Sequence, residues 1–202
     1  MTGESSRKRK LNAMATRVRI FISAAPGEDP AREQLGRSLA ELPVNIGWVI
    51  KRTPDVDSVP ECHLYVLVLG TDIWAPVGLE LWWARRTEKP ILAYAADASR
   101  TPAGQAFRQE NAFLDWRRFA DLAALRRTFL RDVCRFLLAH PDRYGVTVVE
   151  SETLRGFTAQ LEQPPTSRPI GKATGAAGGG VILAPGKDLI PGAHLIGETS
   201  AS

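Results

Sequence analysis

The chain has 202 residues, 44% of them hydrophobic and 24% charged, which suits one globular domain of ordinary size with some additional length. The net charge of +4 is small and much of it lies at residues 7–10, so no nucleic-acid-binding face is expected. No apolar run reaches the about 18 residues of a membrane span, and no signal-peptide pattern follows the basic run. These features predict a cytoplasmic protein with neither membrane nor nucleic acid as a partner.

The cysteines and histidines do not form a metal-binding pattern. Cys62 and Cys134 are far apart in the sequence and lie in or beside apolar segments, so we expect buried free thiols. His63, His140 and His194 are scattered. The spacing therefore predicts neither a metal site nor a bound cofactor.

The first predicted elements are a strand, a helix and a second strand. β-branched and aromatic residues favour a strand over 17–23, which is followed by the loop "AAPGEDP". A helix is predicted over 29–42, with Asp29 as N-cap and Pro30 at the first helical position. Residues 45–52 form the second predicted strand.

The segment "HLYVLVLG" is apolar on both faces of the strand that it would form, which is typical of a central strand in a parallel sheet. The long segment near the end of the domain carries apolar residues three and four apart, as an amphipathic helix does. The predicted elements in chain order are a strand at 63–70, a helix at 76–87, a strand at 89–97, a short helix at 100–110, a short edge strand at 111–116 and a long helix at 118–139.

Strands that alternate with helices predict an α/β fold, a doubly wound and mainly parallel five-stranded sheet of flavodoxin-like type. In such sheets ligands bind at the carboxyl ends of the strands, near a switch in strand order. This rule brings Ser23, the loop "AAPGED", Gly70 and the loop "TDIWAPVG" to one edge of the sheet. Glu80, in the helix that follows, is expected close to that edge.

Composition divides the chain into four parts. A disordered basic N-terminus (1–15) precedes the α/β domain (16–149), and a Gly- and Pro-rich linker (150–180) follows it. Residues 181–198 contain short apolar triplets around turn residues, which predicts a β-prone motif for self-association or for recruitment of a signalling partner. A largely disordered C-terminal tail is the alternative interpretation of the same residues.

Glu80 is the candidate catalytic residue, because the chain has no phosphate-binding loop, dinucleotide fingerprint or nucleophile elbow. A carboxylate beside indole rings can bind sugar hydroxyls and stabilise an oxocarbenium ion. The simpler alternative is an acid in the first turns of a helix that complements the helix dipole.

Two longer segments resemble TIR domains. "VRIFISAAPGED" is similar to the first strand and acidic loop of that family, and "YVLVLGTDIWAPVGLELWWA" resembles its later strand, Trp-bearing loop and Glu-bearing helix. "KPILAY" matches the next strand, so the resemblance covers residues 16–139. The chain is also similar to related bacterial domains fused to signalling ATPases and, more remotely, to nucleoside deoxyribosyltransferases.

The resemblance implies that Glu80 cleaves the nicotinamide–ribose bond of NAD, with NAD as substrate rather than cofactor. The chain departs from the family pattern in "AAP", which replaces the usual Tyr-bearing run, and in Gly70, which replaces a common serine. The substrate-binding residues that the resemblance implies are Ser23, Ala24, Gly70, Trp74 and Trp83.

Three functions remain open from the sequence. The first is a signalling or defence enzyme of bacterial type that cleaves NAD or a related nucleotide and acts when it self-associates. The second is a non-catalytic interaction module that recruits a signalling protein through residues 181–198. The third is a phosphoribosyl or deoxyribosyl transferase with Glu80 as nucleophile, which shares the geometry of the first.

Overall fold

The computed structural model describes residues 17–163, which contain a five-stranded parallel sheet with helices on both faces. Every neighbouring pair of strands is parallel, and the strand order is 2-1-3-4-5, the flavodoxin-like order. The predicted fold class is confirmed. The strands are β1 (Arg17–Ala24), β2 (Gly47–Arg52), β3 (Leu64–Leu69), β4 (Ile91–Ala96) and β5 (Trp116–Phe119).

The helices divide between the two faces of the sheet, and each face has its own apolar core. Residues of α1, α4 and α6 pack in one core, and residues of α2 with parts of α3 pack in the other. No helix among residues 17–163 is long and apolar enough to cross a membrane. The helices are α1 (Asp29–Ser38), α2 (Ala75–Arg86), α3 (Pro102–Glu110), α4 (Leu122–Ala139), α5 (Pro141–Tyr144) and α6 (Val148–Glu162).

Successive side chains of a strand point to opposite faces of the sheet, and this alternation decides which side chains contact α2. All six residues of β3 are buried, and they alternate between the two cores. In β1, Ile20 and Ile22 enter the core beneath α1, whereas Phe21 enters the core beneath α2. Ser23 therefore lies on the α2 side, where the carboxyl ends of β1 and β3 meet the switch in strand order.

The predicted boundaries are wrong at two places. Asp29 is the first residue of α1 rather than its N-cap, Glu28 occupies the cap position, and α1 ends at Ser38 before a 3₁₀ turn. The edge strand begins at Trp116, where the prediction ended, because residues 111–114 form turns that close α3. The Trp116 indole nitrogen donates a hydrogen bond of 2.8 Å to the Asn111 carbonyl and closes this turn.

The boundary predicted at residue 149 is also wrong, because the first part of the predicted linker is helical. Thr147 and Glu150 form a capping box at the start of α6. Leu154 is fully buried in the core beneath α1, and Phe157 and Leu161 pack against that core. The domain therefore includes α6. The predicted disordered N-terminus, the rest of the linker and the 181–198 motif lie outside the described residues.

The two thiols, Cys62 and Cys134, are free and buried, as predicted. Burial raises the pKa of the Cys62 thiol to about 11, so this thiol is not poised for nucleophilic chemistry. Among residues 17–163 no group of three or more His, Cys, Asp or Glu side chains comes together as a metal site would require.

We predict that Leu154→Ala destabilises the domain by about 2–5 kcal/mol, because it leaves a cavity in a closed core. Val149→Ala, at an exposed position of the same helix, is the control and is expected to change stability by less than about 0.5 kcal/mol. Urea unfolding measures both. Equal stabilities for the two variants would contradict the assignment of α6 to the domain.

Candidate active site

Glu80 lies in the second turn of α2 and points into the protein. It is the sixth residue of the helix, and its side chain has 0% exposure to solvent. The first turn of α2 contains no acidic residue. Because the helix dipole acts mainly within the first turn, it accounts for less of the position of Glu80 than the contacts of the buried carboxyl do.

Two hydroxyl groups hold one oxygen of this carboxyl. The Ser23 hydroxyl donates a hydrogen bond of 2.5 Å to Glu80 Oε2, and the Thr53 hydroxyl donates one of 2.7 Å to the same atom. The backbone N–H of Ala24 donates to Thr53 Oγ1 at 3.2 Å, which leaves the Thr53 proton free for the carboxyl. The end of β1, the residue after β2, and α2 thus meet at Oε2.

The second oxygen, Oε1, is buried and has no hydrogen-bond partner among residues 17–163. Burial raises the pKa of the Glu80 carboxyl, because it disfavours the charged form. The Ser23 and Thr53 hydroxyls lower this pKa, as do the backbone N–H of Asp55 and the charge of Arg32, but burial outweighs them. A carboxyl of raised pKa with one unpaired oxygen is the kind of group that acid–base or cation-stabilising chemistry uses.

Arg32 is the positive charge that faces this carboxyl. Its side chain is mostly buried; Nη1 donates to the Thr53 carbonyl at 3.3 Å, and Nη2 pairs with Asp29. Its Nε is buried without a partner among residues 17–163. Burial lowers the pKa of Arg32, the nearby Arg52 lowers it further, and the charge of Glu80 opposes both. Arg32 therefore favours the ionised form of Glu80 from the α1 side.

Gly70 has a different role from the one expected. The Glu28 carboxylate, from the loop after β1, occupies the position that a Cβ at residue 70 would take. Burial raises the pKa of Glu28, and the backbone N–H of Thr71 lowers it by a smaller amount. Gly70 thus allows a second carboxyl of raised pKa to reach the carboxyl end of β3.

Neither of the two predicted indoles is a hydrogen-bond partner of the Glu80 carboxyl among residues 17–163. Trp74 precedes α2 and is 38% exposed at the edge of the sheet. Trp83 is half-buried against the core beneath α2, with its ring edge-on to Trp82 at 5.0 Å. The hydrogen bonds of the Glu80 carboxyl go to Ser23 and Thr53 instead.

Ser23, Ala24 and Glu80 are therefore brought together as predicted, whereas the sequence analysis missed Thr53, Arg32 and Glu28. A signal existed for Thr53, since a hydroxyl residue directly after the second strand lies at the ligand-binding edge. Arg32 lies in a segment that the pattern predicts as a solvated helix, and Glu28 lies in the loop "AAPGED", which the sequence brings to this edge without assigning a role to Glu28.

No family model matches this chain, and no curated protein matches it. Among solved structures it is similar to a flavodoxin from the domain Archaea, at 10% sequence identity and a TM-score of 0.36, over 69% of this chain and 99% of the flavodoxin chain. A TM-score this low carries no argument about function. The fold assignment depends on the parallel register and strand order of this chain itself.

We predict that Glu80→Gln becomes more stable relative to wild type as pH rises above 4.5, the ordinary carboxyl pKa. Above this pH the unfolded chain ionises Glu80 while the folded protein still holds the proton, so wild-type stability falls until the raised pKa is passed. Urea unfolding at pH 4 to 8 measures the difference.

The matched control is Glu152→Gln, at an exposed position of α6. This variant removes the same charge from the chain without altering the buried cluster. A difference between Glu80→Gln and wild type that is constant with pH, or that changes in the opposite direction, would contradict the raised pKa.

We predict that Gly70→Ala expels the Glu28 carboxylate to solvent, since the new methyl group and the carboxylate cannot share one position. The pKa of Glu28 should then fall toward 4.5, which carboxyl-carbon NMR titration measures. Gly78→Ala, whose Cβ would meet no atom within 4 Å, is the control. An unchanged Glu28 pKa in Gly70→Ala would refute the contact.

Proposed function

We propose that this protein is a TIR-like enzyme that cleaves the N-glycosidic bond of NAD or a related nucleotide, with Glu80 as the catalytic carboxylate. The observation that carries the proposal is the buried Glu80 carboxyl, with Oε2 bound by two hydroxyls and Oε1 unpaired. The similarity of residues 16–139 to TIR domains supports it. The bacterial signalling or defence role and the cytoplasmic location are parts of the same proposal.

The proposed reaction needs a negative charge more than it needs a proton donor. The bond between ribose C1′ and the pyridinium nitrogen breaks, its electron pair stays with that nitrogen, and nicotinamide leaves as a neutral molecule. The ribosyl cation that remains is stabilised by the Glu80 carboxylate. Water then adds to C1′ and gives up a proton, to Glu80 or to solvent, so the products are nicotinamide and ADP-ribose.

The Ser23 and Thr53 hydroxyls help the buried Glu80 carboxyl to ionise. A buried carboxylate without partners would remain protonated, and a protonated group stabilises a cation poorly. The hydrogen bonds from Ser23 and Thr53 and the charge of Arg32 favour the ionised form, and they leave Oε1 free to face C1′. We assign to Ser23, Thr53 and Arg32 the role of positioning Glu80 and setting its pKa.

Glu80 is closed to solvent in this structure, so the proposed activity requires a second conformation in which Oε1 becomes accessible. We propose that self-association produces that conformation. The sequence predicts self-association or recruitment of a partner for residues 181–198, which lie outside the described part of the chain.

The test is nicotinamide release from NAD by the concentrated full-length protein. Glu80→Gln keeps the size and hydrogen-bonding shape of the side chain but not its charge, and is expected to lower the rate by about 100-fold or more. Glu152→Gln, on the exposed face of α6, should retain the wild-type rate. Full activity of a folded Glu80→Gln protein would refute the proposed role.

A second readout distinguishes catalysis from a merely structural role of Glu80. Thr53→Val removes one hydrogen bond to the carboxylate, so the pKa of Glu80 should rise and the acidic limb of the pH–rate profile should move to higher pH. An unchanged pH profile would show that the rate does not depend on the ionisation of Glu80.

The full burial of Glu80 also favours the alternative, a non-catalytic interaction module. Leu79 and Trp82, each 49% exposed, form an apolar strip on the outer side of α2 that a binding function can use. This alternative predicts no nicotinamide release at any concentration, and loss of self-association when residues 166–202 are deleted. Transfer of the ribosyl group to an added nucleoside would instead identify the transferase.

A further inference from the structure

Apart from the Glu80 cluster, the structure has a cavity of about 670 Å³ at the carboxyl ends of β4 and β5. We propose that it binds a phosphorylated small molecule of nucleotide size through Arg100, Arg108 and Arg118. The proposal is independent of the proposed cleavage reaction, because none of the residues that line this cavity belongs to the Glu80 cluster.

The lining has an excess of positive charge. Three guanidinium groups face the cavity together with one carboxylate, Asp97. The Arg118 Nε already donates to Asp97 Oδ1 at 2.6 Å, so this carboxylate has one arginine as its partner. Two positive charges, those of Arg100 and Arg108, remain without an acidic partner in the cavity wall.

Arg108 is the strongest indication of a ligand. Its guanidinium lies over the Trp116 ring, 4.7 Å from the ring centroid, and makes no hydrogen bond or ion pair to any residue in the range 17–163. It is half-buried, and its pKa is lowered first by burial and then by the charges of Arg100 and Arg118. A guanidinium packed on an indole ring, close to two others and with no hydrogen-bond partner among residues 17–163, is suited to an external anion.

Arg100 is also incompletely paired. One Nη donates to the Ala96 carbonyl at 2.5 Å, which fixes the side chain beneath the cavity. Its Nε is buried and has no partner within residues 17–163. A buried charged donor without an acceptor is costly, so the hydrogen-bonding capacity of Arg100 is not used up by the protein.

The chemistry and the volume together favour a phosphate ester. Guanidinium forks match the geometry of phosphate oxygens, and the amides of Gln105 and Gln109 add neutral donors and acceptors around them. The volume falls within the range of about 300–1,000 Å³ that is typical of small-molecule sites. The cavity lies at the carboxyl ends of the strands but away from the switch in strand order between β1 and β3, so the proposal depends on its lining residues alone.

The loop that leads to the Glu80 helix is connected to the wall of this cavity. The Thr101 backbone N–H donates to the Thr71 carbonyl at 2.9 Å, and the Thr101 hydroxyl donates to Asp72 Oδ1 at 2.6 Å. Thr101 caps α3, the helix that carries Arg108. These two hydrogen bonds hold the start of α3 against the loop that precedes α2.

The test is calorimetric titration of the full-length protein with inorganic pyrophosphate and with ADP at low salt. Arg108→Gln and Arg100→Gln are each expected to weaken binding by about tenfold or more, because each removes charge-assisted hydrogen bonds to the phosphate. Arg155→Gln, which removes the same charge from an exposed position of α6, is the control and should bind as wild type does.

Thermal unfolding without ligand separates lost binding from lost folding. Removal of Arg108 relieves repulsion among the guanidiniums, so the Tm of Arg108→Gln should not fall, whereas the rise in Tm on adding pyrophosphate should disappear. If Arg108→Gln does unfold, Arg108→Lys keeps the charge over Trp116. It should still bind pyrophosphate more weakly than wild type, since lysine lacks the planar guanidinium that can donate two parallel hydrogen bonds.

Three results would overturn the proposal. The first is that neither pyrophosphate nor ADP binds to the wild-type protein. The second is that Arg155→Gln weakens binding as much as Arg108→Gln, which would show only non-specific attraction to a basic protein. The third is that Arg108→Gln binds the anion normally while Glu80→Gln does not, which would place the anion at the Glu80 cluster instead of this cavity.

Discussion

The burial of the Glu80 carboxyl is the constraint around which this end of the molecule is organised. Removing a carboxylate from water costs several kcal/mol unless hydrogen bonds and opposite charge compensate. Here two hydroxyls compensate from one side and Arg32 from the other, and the raised pKa shows that the compensation is incomplete. An apolar residue at this position would pack without that cost, which is the reason the proposed function centres on this carboxyl.

The same hydrogen bonds connect elements that are distant in the sequence. Ser23 ends β1, Thr53 follows β2, and Glu80 belongs to α2, yet all three meet at one carboxyl oxygen. Glu28 then folds over Gly70 at the end of β3. The switch in strand order creates this meeting point, because β1 lies between β2 and β3 and the loops after these strands leave from one edge.

Two kinds of charge are separated along that edge. Glu80 and Glu28 lie at the ends of β1 and β3, whereas Arg100, Arg108 and Arg118 surround the cavity at the ends of β4 and β5. Thr101 connects the two regions by its hydrogen bonds to Thr71 and Asp72. One edge therefore offers carboxyl groups suited to a developing cation and guanidinium groups suited to an anion.

Sequence reasoning succeeded where a pattern was regular and failed where a contact was long-range. The apolar run of β3 and the spacing of α4 are local patterns, and both elements lie where they were predicted, to within a few residues. β5 was misplaced because the residues predicted to form it, 111–116, begin with the turns that close α3; only the structure shows that Arg117 of β5 pairs at 2.7 Å with the buried Asp132 of α4. Helix α6 lies beyond the predicted domain end, and its place in the domain depends on Leu154, which packs against elements distant in the sequence. Nothing local in the sequence indicates that the Thr53 hydroxyl binds a carboxyl 27 residues away.

The most direct test of this account is carboxyl-carbon NMR titration of the wild-type protein, with the Glu80 resonance assigned from its absence in Glu80→Gln. The account predicts that Glu80 titrates above 4.5, since burial outweighs the two hydroxyls and Arg32. It also predicts that Ser23→Ala moves this pKa higher still, because a hydrogen bond to the charged form is lost. A Glu80 pKa at or below 4.5, unmoved by Ser23→Ala, would contradict it and would leave Glu80 without the environment on which the proposed chemistry depends.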